Sequence, residues 1–259
     1  MMANPFPATR SFAGFNAPGR VECDIAVLEV VLGAIPPELE GAFFRVAPEP
    51  CHPPLGGDDI PLNGDGMAFA FKFKAGRVSL KSRYIHTPKF IAERAASKAL
   101  FGVYRNPFTD EPSVAGLSRG TANPNLVWHG GRLLALKEDS RPIELDPHSL
   151  ATMGEWDFDG RLTSPTVTAH PKIDPLAGEM LFYGYEAKGL ATPDIAFFIA
   201  DRAGHITHEH GFAAPYPSMV HDFAVTEHCL VFPVMPTTID LARMQSGGAH
   251  FAWDGALPS

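Results

Sequence analysis

Short strands joined by tight turns recur along this chain of 259 residues at intervals of close to 50 residues. The turn residues Gly76, Gly131, Gly178 and Glu227 are separated by 55, 47 and 49 residues. Apolar or alternating runs on both sides of each turn indicate β-hairpins. A repeat of this length with about four short strands is typical of a β-propeller blade, whereas a β-sandwich has no such period. The sequence therefore predicts an all-β fold and favours a propeller.

The predicted hairpins pair residues 67–73 with 77–85, 125–128 with 132–137, and 220–225 with 229–234, and further apolar strands are predicted over 180–185 and 195–200. One helix is predicted, with Thr87 as its N-cap, Pro88 at its first position and Gly102 as its C-terminal stop. Because this helix interrupts the strands instead of alternating with them, a parallel sheet of βαβ units is not expected.

Two histidines, His170 and His221, lie 51 residues apart, which is one repeat, and each precedes a predicted strand. In a propeller the innermost strands of successive blades face the central axis, so equivalent residues converge there. Neutral imidazole suits iron, zinc or copper, and the spacing permits a shared metal on that axis. The competing interpretation is that both are ordinary exposed or hydrogen-bonded residues among the 11 histidines of the chain.

A second group of histidines, His205, His208 and His210, lies within the segment HITHEH. The group resembles a metal-binding cluster, but alternate residues of an exposed strand explain it equally well. We favour a solvated sheet edge. His129 and His228 fall in predicted hairpin turns and are not expected to be ligands.

Composition excludes several classes of protein. The formal net charge is −8 and no run of Lys and Arg occurs, so nucleic acid is an unexpected partner. Three widely spaced cysteines form neither a disulfide framework nor a zinc motif, which favours a reducing, cytoplasmic environment. No apolar stretch reaches the roughly 18 residues that a transmembrane helix needs, and the N-terminal residues lack the apolar core of a signal peptide.

Several segments occur together in one order: GAFFR at 41–45, NGDGM at 63–67, YRNPFTD at 104–110, AHPKID at 169–174 and VHDFAVT at 220–226. From about residue 21 to residue 253, the chain resembles the carotenoid cleavage oxygenase family. Within that family, it looks like the stilbene-cleaving branch, the lignostilbene dioxygenases. Several motifs in the same order make the resemblance more specific than any single pattern.

The resemblance implies a seven-bladed β-propeller with a helical cap and a non-haem Fe(II) held on the axis by four histidines. His170 and His221 match the first two of these ligands, whereas the other two belong to C-terminal blades that this chain lacks. We therefore expect the N-terminal half of such a propeller, with an arm over residues 1–20 and an incomplete propeller over residues 21–259. Neither His228 nor His250 lies in a motif that matches a missing ligand.

The resemblance also suggests roles for three further residues. Glu138 matches a carboxylate behind the metal ligands and is expected to orient His221, because ligating imidazoles usually donate their other N–H to a carboxylate. Tyr104 and Lys137 match a pair that contacts the phenol of a stilbene substrate. Lys137 follows an apolar run, so partial burial should lower its pKa. The alternatives are an exposed Glu138, a snorkelling Lys137 and a core Tyr104.

The implied activity is oxidative cleavage of a carbon–carbon double bond by O₂, which gives two carbonyl products from a small hydrophobic phenolic stilbene or an apocarotenoid-like substrate. The alternative is a non-catalytic truncated fragment or pseudoenzyme without the third and fourth iron ligands, and we expect the 259-residue chain alone to be inactive. The chain departs from the family at Pro124, where relatives commonly have Thr. Pro124 lacks that hydroxyl and a backbone N–H, which puts the placement of oxygen or substrate in doubt.

Overall fold

The computed structural model describes residues 5–258 of the chain. Three four-stranded antiparallel sheets follow one another, and two short two-stranded sheets come after them. The all-β prediction is confirmed. The predicted arm over residues 1–20 lies partly outside the described residues, and its described part includes a short 3₁₀ helix, Gly14–Asn16.

The first sheet contains β1 (Cys23–Ile25), β2 (Gly41–Pro48), β3 (Gly66–Lys74) and β4 (Arg77–Tyr84) in the order β1-β4-β3-β2. The predicted hairpin over 67–85 is the antiparallel pair β3–β4. Ala75 and Gly76 connect its strands with φ angles of 49° and 71°. Two consecutive positive φ angles are typical of the tight turns whose twist matches a hairpin, which explains a glycine at this position.

The predicted helix is α1 (Pro88–Ala96), and the Thr87 hydroxyl accepts a hydrogen bond from the Phe90 N–H at 3.2 Å, as an N-cap should. The predicted stop at Gly102 is wrong. The helix ends earlier because Ser97 takes the left-handed conformation, with φ of 55°, and its N–H returns to the Arg94 carbonyl. An extended connection follows and includes two 3₁₀ helices, Pro107–Thr109 and Pro112–Val114.

The second and third sheets are meanders whose strands neighbour one another in chain order, as in propeller blades. The second sheet contains β5 (Asn125–His129), β6 (Arg132–Leu136), β7 (Ile143–Leu145) and β8 (Thr152–Glu155). The third sheet contains β9 (Lys172–Ile173), β10 (Met180–Tyr185), β11 (Asp194–Ala200) and β12 (Ile206–Ala213). β12 forms one edge, and His205, His208 and His210 are exposed, as predicted for a solvated edge.

The remaining elements are short: β13 (Ala224–Val225), β14 (Leu230–Val231), β15 (Thr237–Ile239), α2 (Leu241–Gln245) and β16 (Phe251–Trp253). β13 pairs with β14, and β15 pairs with β16. The hairpin predicted over 220–234 is therefore present but shorter than expected, with two residues in each strand. Pro233, which has no N–H to donate to a ladder, follows soon after β14.

The apolar core lies between successive sheets, which pack face to face. Ala68 and Ile85 belong to one buried cluster with Leu133 and Leu145, so the first sheet packs against the second. On the other face of the second sheet, Leu134 and Leu136 cluster with Ala169, which lies just before the third sheet. This stacking brings the C-terminal end of β6 close to the segment that precedes β9. Within residues 5–258, no helix is long and apolar enough to cross a membrane.

Candidate functional site

Two histidines from consecutive repeats meet at one end of the stacked sheets. His170 lies two residues before β9 and is half-buried, whereas His221 lies three residues before β13 and its side chain is 56% exposed. Their ring centroids are 4.7 Å apart, with an angle of 64° between the ring planes. The one-repeat spacing that singled them out in the sequence thus corresponds to direct contact.

Glu138 lies beside this pair. It follows β6 in the chain, its side chain is only 8% exposed, and its Oε1 is in short contact with Nδ1 of His221. One possible ligand atom from each of Glu138, His170 and His221 lies within 4.8 Å of the others. Across the described residues 5–258, this is the only such group of three His, Cys, Asp or Glu side chains.

The donor set of this cluster suits a transition metal such as iron, zinc or copper, which imidazole nitrogen binds well. The contact with the Glu138 carboxylate is the main factor that raises the pKa of His221, and it outweighs the opposite effect of burial. When His221 is neutral, an Nδ1 proton directed at Glu138 leaves Nε2 with the lone pair that a metal needs. The residues present therefore fit a metal centre with a carboxylate behind one ligand.

Lys137 and Tyr104 form a second group next to this cluster. Nζ of Lys137 lies 4.7 Å from the centroid of the Tyr104 ring, and the Lys137 side chain is 4% exposed. Its ammonium donates a hydrogen bond to the Leu62 carbonyl at 3.3 Å, and Oδ2 of Asp139 lies 3.9 Å away. An ammonium has three donors, so these contacts leave it capacity for a further acceptor.

Burial shapes the acid–base chemistry of this second group. Burial lowers the pKa of Lys137 below its ordinary value, and the nearby Asp139 carboxylate offsets only part of that effect. Burial also raises the pKa of Tyr104, so its hydroxyl stays protonated and able to donate a hydrogen bond. A lysine with a lowered pKa can accept a proton from an acidic group such as a phenol.

Pro124 is exposed and lies immediately before β5, where a missing backbone N–H interrupts no described ladder. The preceding residue, Asn123, is buried, and its side-chain amide donates to the carbonyls of Leu62 at 2.9 Å and Gly64 at 2.7 Å. The Leu62 carbonyl therefore contacts both Asn123 and Lys137. This contact ties the loop around residue 62 to the wall of the site.

Sequence reasoning missed Arg105, Glu186 and the buried position of His250. Arg105 and Glu186 form a buried ion pair at 2.7 Å, and His250 contacts the same carboxylate at 3.1 Å. Neither Arg105 nor Glu186 stands out in the sequence, because the two residues are 81 positions apart and no local pattern connects them. The only available signal was the resemblance of the segment YRNPFTD, which places Arg105 next to Tyr104.

Comparison with known proteins identifies the family of this chain. The family profile described as Retinal pigment epithelial membrane protein, which represents the carotenoid cleavage oxygenases, matches residues 16–259. The chain belongs to the carotenoid cleavage oxygenase family. The resemblance noted in the sequence is thereby confirmed, and similar curated proteins carry the names of oxygenases.

Three similar proteins illustrate the relationship. Resveratrol cleavage oxygenase 1 of Aspergillus fumigatus is 47% identical over 257 residues, which is 99% of this chain and 51% of that protein. Isoeugenol monooxygenase of Pseudomonas nitroreducens is 48% identical over 95% of this chain and 51% of its own length. The crystal structure of Pseudomonas brassicacearum lignostilbene dioxygenase superposes with a TM-score of 0.95 and 47% identity, covering 99% of this chain and 53% of that one. The chain thus spans about half the length of the curated relatives it matches.

Proposed function

We propose that this chain carries the phenol-binding residues and two metal ligands of an iron-dependent oxygenase that cleaves the double bond of a phenolic stilbene into two carbonyl products. The observation that carries the proposal is the adjacency of two groups. The pair Lys137 and Tyr104 lies next to the cluster of His170, His221 and Glu138, because Lys137 and Glu138 are the two consecutive residues that follow β6.

In this proposal His170 and His221 hold Fe(II), and Glu138, whose Oε1 is in short contact with Nδ1 of His221, orients the ring of His221. Iron, when bound, supplies the redox chemistry that activates O₂ for reaction with an alkene. The substrates are therefore O₂ and a small hydrophobic phenol. A cytoplasmic location belongs to the same proposal and is supported by the three widely spaced cysteines.

The protein's own contribution is proton transfer and orientation. Neutral Lys137 accepts the phenol proton at Nζ, and the Tyr104 hydroxyl donates a hydrogen bond to the same phenol oxygen. The resulting phenolate pushes electron density through the ring onto the central alkene and makes it a better reductant. Because Lys137 is almost fully buried, water competes poorly for this proton and the phenolate is held beside a cation.

A second candidate function is binding without turnover. It is favoured by the donor count, because the described residues bring only two imidazoles to the cluster and the related proteins are about twice as long. Two imidazoles bind iron weakly and orient it poorly. Under this alternative, the chain binds a hydroxystilbene and releases no carbonyl product.

The test uses the 259-residue chain, loaded with Fe(II) without air and then given 4-hydroxystilbene and O₂. Stilbene fluorescence reports binding, and mass spectrometry of the two aldehydes reports cleavage. The matched ligand is 4-methoxystilbene, which has the same shape but no phenol proton. Preferential binding of the hydroxy compound with aldehyde release supports the oxygenase, and preferential binding without aldehydes supports the alternative. Equal binding of both compounds would contradict the role of Lys137 and Tyr104.

A further inference from the structure

A buried arginine lies directly behind the candidate site. The side chain of Arg105 is 4% exposed, and its Nη2 donates to Oε2 of Glu186 at 2.7 Å, while Nη1 donates to the Tyr185 hydroxyl. The guanidinium also lies 5.0 Å from the ring centroids of both Tyr185 and Phe251. A planar donor held by a carboxylate, a hydroxyl and two rings has little freedom to change its position.

The same guanidinium faces the carboxylates of the site. Nη1 lies 4.0 Å from Oε2 of Glu138, and Nε lies 3.9 Å from Oδ2 of Asp139. The other oxygen of Glu138, Oε1, is the atom that contacts Nδ1 of His221. Glu138 is therefore placed between a fixed cation on one side and the imidazole on the other.

Glu186 is itself held in place from several directions. Its Oε2 contacts Nε2 of His250 at 3.1 Å as well as Arg105, and its Oε1 accepts the Ala191 N–H at 2.6 Å. His250 has a side chain that is 1% exposed, and it lies in the segment between α2 and β16. The chain of contacts thus runs from His250 through Glu186, Arg105 and Glu138 to His221.

The backbone conformation at Arg105 directs two consecutive side chains, Tyr104 and Arg105, to different parts of the site. Arg105 takes a left-handed φ of 56°, which is uncommon for a residue with a side chain. As a result, Tyr104 contacts Lys137 while the next side chain enters the ionic network. A strained backbone of this kind persists only where surrounding contacts hold it.

We propose that Arg105 is a positioning residue whose guanidinium, fixed by Glu186 and His250, holds Glu138 against His221. The inference rests on the proposed function, because it concerns a proposed metal ligand and the carboxylate behind it. It adds a role for residues that contact neither the proposed metal nor the proposed phenol.

The decisive measurement is the imidazole ¹⁵N spectrum of the metal-free chain, labelled at histidine, at a pH where the ring of His221 is neutral. The His221 signals are assigned by their loss in His221→Gln. We expect the parent chain to show an Nδ1-protonated ring, and Arg105→Met to show a mixture of both tautomers. A purely structural role for Arg105 would leave this signature unchanged in a folded protein.

Arg132→Met is the matched control. Arg132 also combines an ion pair, to Glu144 at 2.6 Å, with a stacked ring, Trp156 at 3.7 Å, but it lies outside the site. The Arg132→Met substitution should leave the His221 signals unchanged. If Arg105→Met does not fold, Glu186→Gln tests the same point, because it keeps the arginine and removes the charge that fixes it. Unchanged His221 signals in the folded variant would overturn the proposal.

Titration with Co²⁺, followed by its visible absorption, separates this inference from the proposed function. We expect the parent chain to bind Co²⁺ and Arg105→Met to bind it about tenfold more weakly, the lower end of the effect of residues behind a ligand. Failure of the parent chain to bind Co²⁺ would count against the proposed metal site, whereas the tautomer measurement on the metal-free chain would still decide the role of Arg105. Equal Co²⁺ affinity of parent and variant would overturn the inference alone.

Discussion

Replacing Lys137 with methionine should stabilise the fold and weaken phenol binding at the same time. Methionine has a similar length and no charge, so the substitution removes an ammonium that is 4% exposed. In the structure that ammonium has one hydrogen bond, to the Leu62 carbonyl, and one carboxylate at 3.9 Å. Because it has so few partners, the buried ammonium destabilises the fold and also keeps a donor available for the phenol.

The sign of the stability change follows from the balance of two electrostatic effects. Attraction to Asp139 at 3.9 Å is worth about 4 kcal/mol at an effective dielectric constant of about 20. Burying an ammonium costs several kcal/mol, and the lowered pKa of Lys137 shows that this cost is the larger effect. Because Asp139 keeps Arg105 as a second partner, we expect Lys137→Met to raise the free energy of unfolding by about 1 kcal/mol at neutral pH.

The pH dependence of the free energy of unfolding provides a second test of the effect of Lys137. Between its lowered pKa in the folded state and the ordinary lysine pKa of 10.5, Lys137 is neutral in the folded state and charged in the unfolded state. The unfolded state then binds more protons, so the stability contributed at this site rises with pH across that window. Lys137→Met should remove this rise.

Phenol binding should change in the opposite direction. A hydrogen bond to a charged partner contributes about 1.5–3 kcal/mol, so the affinity for 4-hydroxystilbene should fall roughly 10- to 150-fold. Urea denaturation measures stability and stilbene fluorescence measures affinity. Lys188→Met is the control, since Lys188 is 76% exposed in its pair with Asp194 and should change neither quantity. A variant that loses several kcal/mol of stability yet binds the phenol normally would show that Lys137 is structural.

Three further predictions concern the rest of the chain. Lys89→Met should destabilise the fold by about 3–5 kcal/mol in urea denaturation, because Lys89 is buried between Asp65 at 2.9 Å and Glu93 at 2.7 Å and its loss leaves two buried carboxylates. Burial raises the pKa of Glu186, but contacts with His250 and Arg105 lower it by more, so the pKa lies below the ordinary value of 4.5. Stability should therefore fall as the pH drops below 4.5 through this lowered pKa, and Glu186→Gln should flatten that decline in acid denaturation. Phe43→Lys should reduce self-association in sedimentation velocity, because Phe43 is 57% exposed on an apolar surface that also contains Phe69, Phe71 and Phe73. The control is Phe15→Lys, which should leave self-association unchanged because Phe15 is exposed outside this surface.

The elements that the sequence predicted well are those set by neighbouring residues. The β3–β4 hairpin depends on alternation and a turn at Ala75 and Gly76, all within one stretch of chain. The helix start at Thr87 depends on a cap and a proline that are adjacent. The helix stop was wrong because Ser97, which carries no strong signal, took the left-handed conformation that is usually assigned to glycine.

In the candidate site, too, some residues were predictable from the sequence and others were not. Repeat spacing identified His170 and His221, whose rings are in contact, and the resemblance added Glu138, Tyr104 and Lys137. The network behind them was not predictable, because each of its contacts joins distant parts of the chain. His250, for example, contacts a carboxylate 64 residues away and has no motif of its own.

Two buried lysines of this chain differ in how closely carboxylates surround them, and their pKa values shift in opposite directions. Lys89 has two carboxylates within 3 Å, and although burial lowers its pKa, those carboxylates raise it above the ordinary value. Lys137 is equally buried, but Asp139, the carboxylate in its ion pair, is 3.9 Å away, and the pKa of Lys137 is lowered. Asp139 lies equally close, at 3.9 Å, to Arg105, and Glu138 lies 4.0 Å from Arg105, which is a cation that does not lose its proton. Under the proposed function, Arg105 balances part of the negative charge of the site and leaves Lys137 able to exchange a proton with a phenol.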